Sequence, residues 1–356
     1  MREWLVAHAN NLPSGNPLPT EMEVAAHFGA SRQTANKVLT EMARDGLVKR
    51  IKGLGTFVQS REGAVLDGET GARLGRVVLA YPNWFSYDIW TKIDRAILIA
   101  RELGLGPLEY RLSQEAAHDG LAKLVSERKD VRGVVLIPPG AVVELKALKR
   151  LDSLGVPVVV LVPVDQVALT TRVWSLAKDY TTAGHLLVAA MARRGHQRIA
   201  YIANEPWSAS TDLTYAGIKQ GLYANGLRLK DLVRSGEKIH AWEDSMVTGR
   251  RMTMEILALR SRPTALIYDS MPGAIGGLGA LGERGLRVPD DISVAVNDEY
   301  NRFEEHLWPS LTTITVDRAN QVRRALKIVL EGGNGGDRLL REDVKLVERG
   351  SVGTPP

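Results

Sequence analysis

Apolar residues beyond position 75 fall into two alternating patterns. Unbroken runs such as Val77-Val78-Leu79-Ala80 and Val158-Val159-Val160-Leu161 have the length and branching of strands buried on both faces. Between them apolar positions recur every three or four residues, as at Ile93, Ile97 and Ala100, the period of a one-sided helix. The spacing predicts strands over 76–81, 108–112, 133–137 and 158–162, and helices over 89–103, 114–125 and 142–151. After a break at 164–179 the alternation resumes, with helices over 180–193, 213–225, 246–259 and 274–284. Strands over 198–202, 265–268 and 292–296 lie between them. This alternation predicts parallel sheets in two similar lobes, each covered by helices and facing a common cleft. Ligands of such sheets bind beyond the carboxyl ends of the strands.

The first 58 residues carry another pattern. Thr20 followed three places on by Glu23 is a capping box. It opens a short helix whose apolar face is Val24, Ala25 and Phe28, and Gly29 ends that helix. Ser31 caps a second helix, where Ala35, Val38, Leu39 and Met42 recur at helical spacing until Gly46. Two helices joined by a tight glycine-containing turn make a helix-turn-helix. The second begins Ser31, Arg32, Gln33, Thr34, with Asn36 and Lys37 next: short polar groups and cations suited to base edges and phosphates in a major groove. Beyond it, residues 47–50 and 55–58 predict two strands around a Lys52-Gly53-Leu54-Gly55 tip, a wing. On this reading Lys37, Lys49 and Lys52 hold the DNA backbone, and Gly53, Gly55 and Thr56 bring the wing close to the minor groove. Residues 59–75, rich in Gly and charge, read as a linker, so the expected domains are 1–58 and 76–356.

A net charge of +5 permits a nucleic-acid partner, and six cations face two acids between residues 31 and 52. Without cysteine there is no disulfide, thiolate metal site or cysteine nucleophile. No apolar run reaches the ~20 residues of a membrane helix, and the first residues do not make a signal peptide, so a cytoplasmic location is expected. The seven histidines lack metal spacing, and no Walker loop, HExxH or GxSxG motif occurs. Gly277-Leu278-Gly279-Ala280-Leu281-Gly282 fits GxGxxG, but it lies inside a predicted helix, where small residues serve close packing. Neither an enzyme nor a cofactor is expected. The rival readings are a solute-binding protein and an NAD-dependent enzyme-like fold.

The N-terminal stretch resembles the winged helix-turn-helix of the GntR family of bacterial transcription regulators. The matching pieces are Leu18-Pro19-Thr20-Glu21, Ser31-Arg32, Gly46-Leu47-Val48 and Gly53-x-Gly55-Thr56-Phe57-Val58. Met22 and Asn36 depart from it, standing where the family often carries arginine. The remainder resembles the LacI-type effector domain, which has a periplasmic binding protein-like I fold of two Rossmann-like lobes. Its blocks here are residues 195–202, 285–294, 309–314 and 349–351. An α+β winged helix on such an α/β domain is the arrangement of arabinose-repressor-like regulators. The resemblance implies a homodimeric repressor of a carbohydrate-related operon, reading near-palindromic operator DNA and answering to a small effector, a sugar or sugar derivative among the candidates. It places cleft residues at Asn83, Trp84, Phe85, Tyr87, Trp174, Trp207, Asp269 and Asp298, with Asp298 gripping ligand hydroxyls. Val162, Thr214 and Ser270-Met271 replace charged or amide ligand clamps of the family. The implied dimer surface is the helices near 89–103 and 114–125.

Overall fold

The computed structural model describes residues 1–10, 16–44, 48–51, 55–58, 66–67, 73–83, 86–112, 119–138, 143–235, 239, 243–300, 302–333 and 336–356. The N-terminal domain packs helices Arg2–Asn10 (α1), Glu21–His27 (α2) and Arg32–Arg44 (α3) against the hairpin Val48–Ile51 (β1) and Gly55–Val58 (β2). Leu5, Leu18, Val24, Ala35, Leu39, Met42 and Val48 form its core. The capping box is formed: the Thr20 amide donates to Glu23 at 2.7 Å and the Glu23 amide to the Thr20 hydroxyl at 3.3 Å. Phe28, expected on the buried face, is instead partly exposed and packs edge-on against Trp4. The strands pair antiparallel from Val48 with Val58 to Ile51 with Gly55. Gly55 has φ +127°, a conformation that favours glycine.

The effector domain opens with Leu66–Asp67 (β3), Arg76–Pro82 (β4), Tyr87–Glu102 (α4), Gly106–Leu112 (β5), Asp119–Glu127 (α5), Val131–Leu136 (β6), Leu145–Asp152 (α6), Val158–Val160 (β7) and Val173–Lys178 (β8). Tyr180–Arg193 (α7), Ile199–Ile202 (β9), Ala209–Ala224 (α8), Leu232–Ser235 (β10), Ser245–Leu257 (α9), Ala265–Tyr268 (β11), Met271–Glu283 (α10) and Ser293–Val296 (β12) build the second lobe. The chain finishes with Thr312–Val316 (β13), Arg318–Leu330 (α11), Leu339–Glu342 (β14) and Val344–Val347 (β15).

Strand order is β14-β8-β7-β6-β4-β5-β3 in one sheet and β10-β9-β11-β12-β13-β15 in the other. The first sheet thus recruits β3 from the stretch expected to be linker, and β8 from the expected break. The chain passes between the lobes three times: from β8 into α7, from β13 into α11 and from β14 into β15. Helix α11 returns to the first lobe because its apolar face, Val322, Ala325, Leu326 and Val329, fills the core beside Leu79, Ile93 and Leu176. Val322, Leu326 and Val329 each contribute about 1.5–3 kcal/mol when fully buried.

The GxGxxG run lies within α10. Within the run a Cβ on Gly277 would meet the Tyr268 hydroxyl at 2.0 Å, whereas Gly279 and Gly282 face open space. One on Gly276, just before the run, would meet the Met246 carbonyl at 1.9 Å, so close packing explains the glycines at its start and not the later two. His196 is buried, its ring nitrogens 2.8 Å from Thr264 Oγ1 and 2.9 Å from Ser293 Oγ. Burial holds its pKa down, and the Gly353 carbonyl partly offsets this.

Candidate nucleic-acid interface and effector cleft

The first turn of α3 is shaped by Ser31, whose hydroxyl accepts from the Thr34 amide at 3.1 Å. It leaves Arg32, Gln33, Thr34 and Lys37 exposed. Arg32, Gln33 and Lys37 share an open depression with Glu21, Asn36, Thr40 and Glu41. Glu21, which sequence reasoning passed over, is the hub of this face. Its carboxylate accepts from Arg32 Nε at 2.9 Å and Asn36 Nδ2 at 2.5 Å, and also from Arg50 on β1. Thr40 joins the same group, donating to Asn36 Oδ1 at 3.3 Å and accepting from Arg50 Nη1 at 2.7 Å. Hydrogen bonding by Arg32, then by Arg50 and Asn36, outweighs desolvation and keeps the Glu21 pKa below its ordinary value. The available signal was an acid at the first position of α2, one of two in its first turn, where the helix dipole by itself already favours an acid.

On the wing, Gly55 is exposed, but the Thr56 side chain is buried and the Thr56 carbonyl accepts from the Leu18 amide at 2.8 Å. Thr56 therefore fixes the wing to the strand-like segment before α2 and does not face DNA, a correction to the expected contact. Lys49 lies on β1. Lys52 and Gly53 fall outside the described residues.

At the mouth of the lobes Asn83 follows β4, Asp269 follows β11 and Asp298 follows β12, the carboxyl ends that the topology marks. Tyr87 begins α4; Trp84 and Phe85 lie outside the described residues. Arg318, the first residue of α11, reaches across from the first lobe. Its guanidinium lies 2.5 Å from Asp298, 3.4 Å from Asp88 and 3.9 Å from Glu299. Burial alone would raise the Asp88 pKa, but Lys92, at 2.6 Å, and Arg318 hold it down to about 2. Beside this group Lys178, at the end of β8, donates to the Asn297 carbonyl of the second lobe. Burial lowers the Lys178 pKa against the pull of Asp298 and Asp269. Asp269 accepts from Tyr201 at 3.0 Å and Asn297 at 3.1 Å, yet burial still raises its pKa. Thr214, in place of a ligand clamp, accepts from Asn297 at 3.0 Å. The cleft's polar groups thus bind one another across the lobes.

One aromatic candidate sits elsewhere, and one keeps its place on the loop after β9. Trp174 is buried in the first lobe's core, where a Cβ on Gly333 would meet its ring at 2.2 Å. Its place in the middle of β8, paired with Val159, turns it into the packing, which corrects its assignment to the cleft. The Trp207 indole donates to Asp212 at 2.8 Å and packs on Tyr215, with the Arg234 guanidinium 5.0 Å above its ring.

Residues 5–58 match the model of bacterial regulatory proteins of the gntR family, and residues 188–352 that of a periplasmic binding protein-like domain. The chain joins a gntR-type reading head to a periplasmic binding protein-like domain. The HTH-type transcriptional repressor PurR of Mannheimia succiniciproducens is 28% identical over 46% of this chain, and the match spans 45% of that protein. The arabinose metabolism transcriptional repressor of Geobacillus stearothermophilus is 22% identical over 92% of this chain and 87% of its own length. Among solved structures, a dimeric Lac repressor carrying an 11-residue C-terminal deletion superposes with TM-score 0.67 at 24% identity, covering 79% of this chain and 99% of that one. At that identity the likeness shows the fold. The chain spans under half the length of PurR but most of the arabinose repressor. Its gntR-type head and its periplasmic binding protein-like domain each correspond to one of the two functional regions described above.

Proposed function

We propose that the chain is a ligand-responsive transcription repressor that reads a near-palindromic operator as a homodimer. The observation that carries this reading is the first turn of α3: Arg32, 72% exposed, with Gln33, Thr34 and Lys37 beside it on a folded winged helix. Two such heads would present two recognition helices to successive major grooves. In the dimer, Trp90 and Leu98, both exposed on the outer face of α4, would meet the second copy.

The effector, a sugar or sugar derivative of a carbohydrate-related operon, would enter between Asn83, Asp269 and Asp298. To reach Asp298 it must displace Arg318, which ties effector binding to the contact between lobes. Coupling between two such sites is typically about 1–3 kcal/mol. Among the described residues no cluster of His, Asp and Glu is placed to hold a metal ion, and no helix is long and apolar enough to cross a membrane.

Selection of duplexes from a random pool tests the first half of the reading. The expected product is an inverted repeat bound with steep salt dependence, a log-log slope of about −0.9 per phosphate neutralised. A chain that enriches no sequence, and binds the pool as weakly as a single strand, is not this repressor. Sedimentation of the protein–duplex complex checks for two chains per repeat.

A further inference from the structure

We infer that Glu21 is a positioning residue for operator recognition: its carboxylate sets Arg32, Asn36 and Arg50 in one reading geometry and restrains their indiscriminate attraction to phosphate. The inference rests on the DNA-reading role proposed above and adds to it a determinant of specificity.

Arg32 and Asn36 stand four residues apart on one face of α3, whereas Arg50 comes from the first wing strand. Spacing within α3 does not align Arg50 with that pair. Glu21 does so because its two oxygens divide the work: one accepts from Arg32 Nε, the other from Asn36 and Arg50. Taking Arg32 by Nε leaves the outer fork of its guanidinium without a protein partner among the described residues. That fork is the edge that pairs with O6 and N7 of guanine. Asn36 likewise keeps one amide hydrogen, and its carbonyl oxygen, which accepts from Thr40, keeps a second lone pair.

Charge gives the second argument. A face built only to hold phosphate gains from every cation and loses from every carboxylate. Glu21 is 16% exposed and ionised, and it removes much of the field of Arg32 and Arg50 from passing phosphates. Phosphate contacts carry no sequence information, whereas fixed base contacts do. One carboxylate therefore weakens binding to any DNA while it sharpens binding to the right one. Pre-setting the side chains also lowers the ordering cost when the operator is engaged.

The two effects have opposite signs, which a residue needed only for folding would not produce. The experiment uses the full chain, a duplex selected by the wild type and a scrambled duplex of equal length, read by fluorescence anisotropy at constant salt. Glu21→Ala is expected to lower operator affinity about tenfold, as for one lost base contact, and to raise scrambled-duplex affinity about two- to fivefold. Glu21→Asp keeps the charge but withdraws it by one methylene; operator affinity should fall while scrambled-duplex affinity stays at the wild-type value. Glu21→Gln keeps an acceptor without the charge; its scrambled-duplex affinity should rise as in the alanine variant, with a smaller loss on the operator. Unchanged affinities in all three variants would overturn the inference. So would parallel losses on both duplexes with a lowered thermal midpoint, which mark a structural role. A wild type that prefers no duplex at all would instead overturn the proposed function, and is seen before any variant is made.

Discussion

The reading head and the cleft are organised around opposite hubs. In the head one carboxylate, Glu21, collects Arg32, Asn36 and Arg50 at a surface where Arg32 is largely exposed. In the cleft one guanidinium, Arg318, collects Asp88, Asp298 and Glu299 with only 8% of its side chain exposed. The difference is solvent. Exposed ion pairs are worth about 0–1 kcal/mol each, so Glu21 orients the donors of the head without locking them, and their free outer edges can meet DNA at small cost. A buried charge that loses its partner costs several kcal/mol, so the cleft changes state only when another ligand replaces the pair. The first arrangement suits rapid sampling of sequences, the second a switch.

The largest expected break in this comparison is Arg318→Met. It takes the guanidinium from Asp298, leaves Asp88 paired with Lys92, and should destabilise the effector domain by about 3–5 kcal/mol, read from its denaturant transition. Adding Asp298→Asn should recover part of that loss; full additivity of the two would mean that the guanidinium and the carboxylate are not coupled. Next comes Arg32→Ala, expected to cost about 1–3 kcal/mol of operator affinity at nearly constant stability. Operator binding at the wild-type level would remove Arg32 from base reading.

Acid sharpens the contrast further. The Asp88 pKa is lowered, to about 2 against an unfolded 3.8, so its stabilisation is full above about pH 4 and is lost as pH falls toward 2. His196 is also lowered, by burial first, so its contribution is present above the unfolded value near 6.5 and declines below it. From these two groups effector-domain stability should fall with acid in two stages, at most about 1.4 kcal/mol per pH unit for each proton. The raised pKa of Asp269 works the other way as pH falls toward 3.8. His196→Gln should flatten only the upper stage; a slope that persists there would assign it to another group. At the small end, Arg251→Ala removes an exposed pair with Glu255 at 3.0 Å and should change stability by under about 0.5 kcal/mol. A larger loss, seen by the same denaturant transition, would mean that exposure is a poor guide to cost in this protein.

Much of this was legible from local pattern. The capping box at Thr20 and Glu23, the buried face of Ala35, Leu39 and Met42, and the helix Tyr180–Arg193 depend on neighbours within a few turns, so spacing alone specifies them. The expected break at 164–179 hid β8, and the expected linker hid β3, because both strands owe their existence to partners far along the chain. Residues 315–347 lay between two family blocks and carried no predicted element. Their strands β14 and β15 stand one residue apart yet enter different sheets, a choice that no local period encodes.

The sites divide in the same way. The residue types that open α3, the folding of a winged helix and the two-lobed plan follow from the sequence by itself, because helix starts, glycine turns and apolar periods are short-range properties. Tertiary structure alone decided which carboxylate meets which cation. Glu21 reaches Arg50 across 29 positions and Asp88 reaches Arg318 across 230. It also decided that Trp174 and Thr56 turn inward, since burial is settled by what the rest of the fold lays over a residue. Charge pairing and burial are functions of distance in space, and the chain fixes that distance only once it has folded.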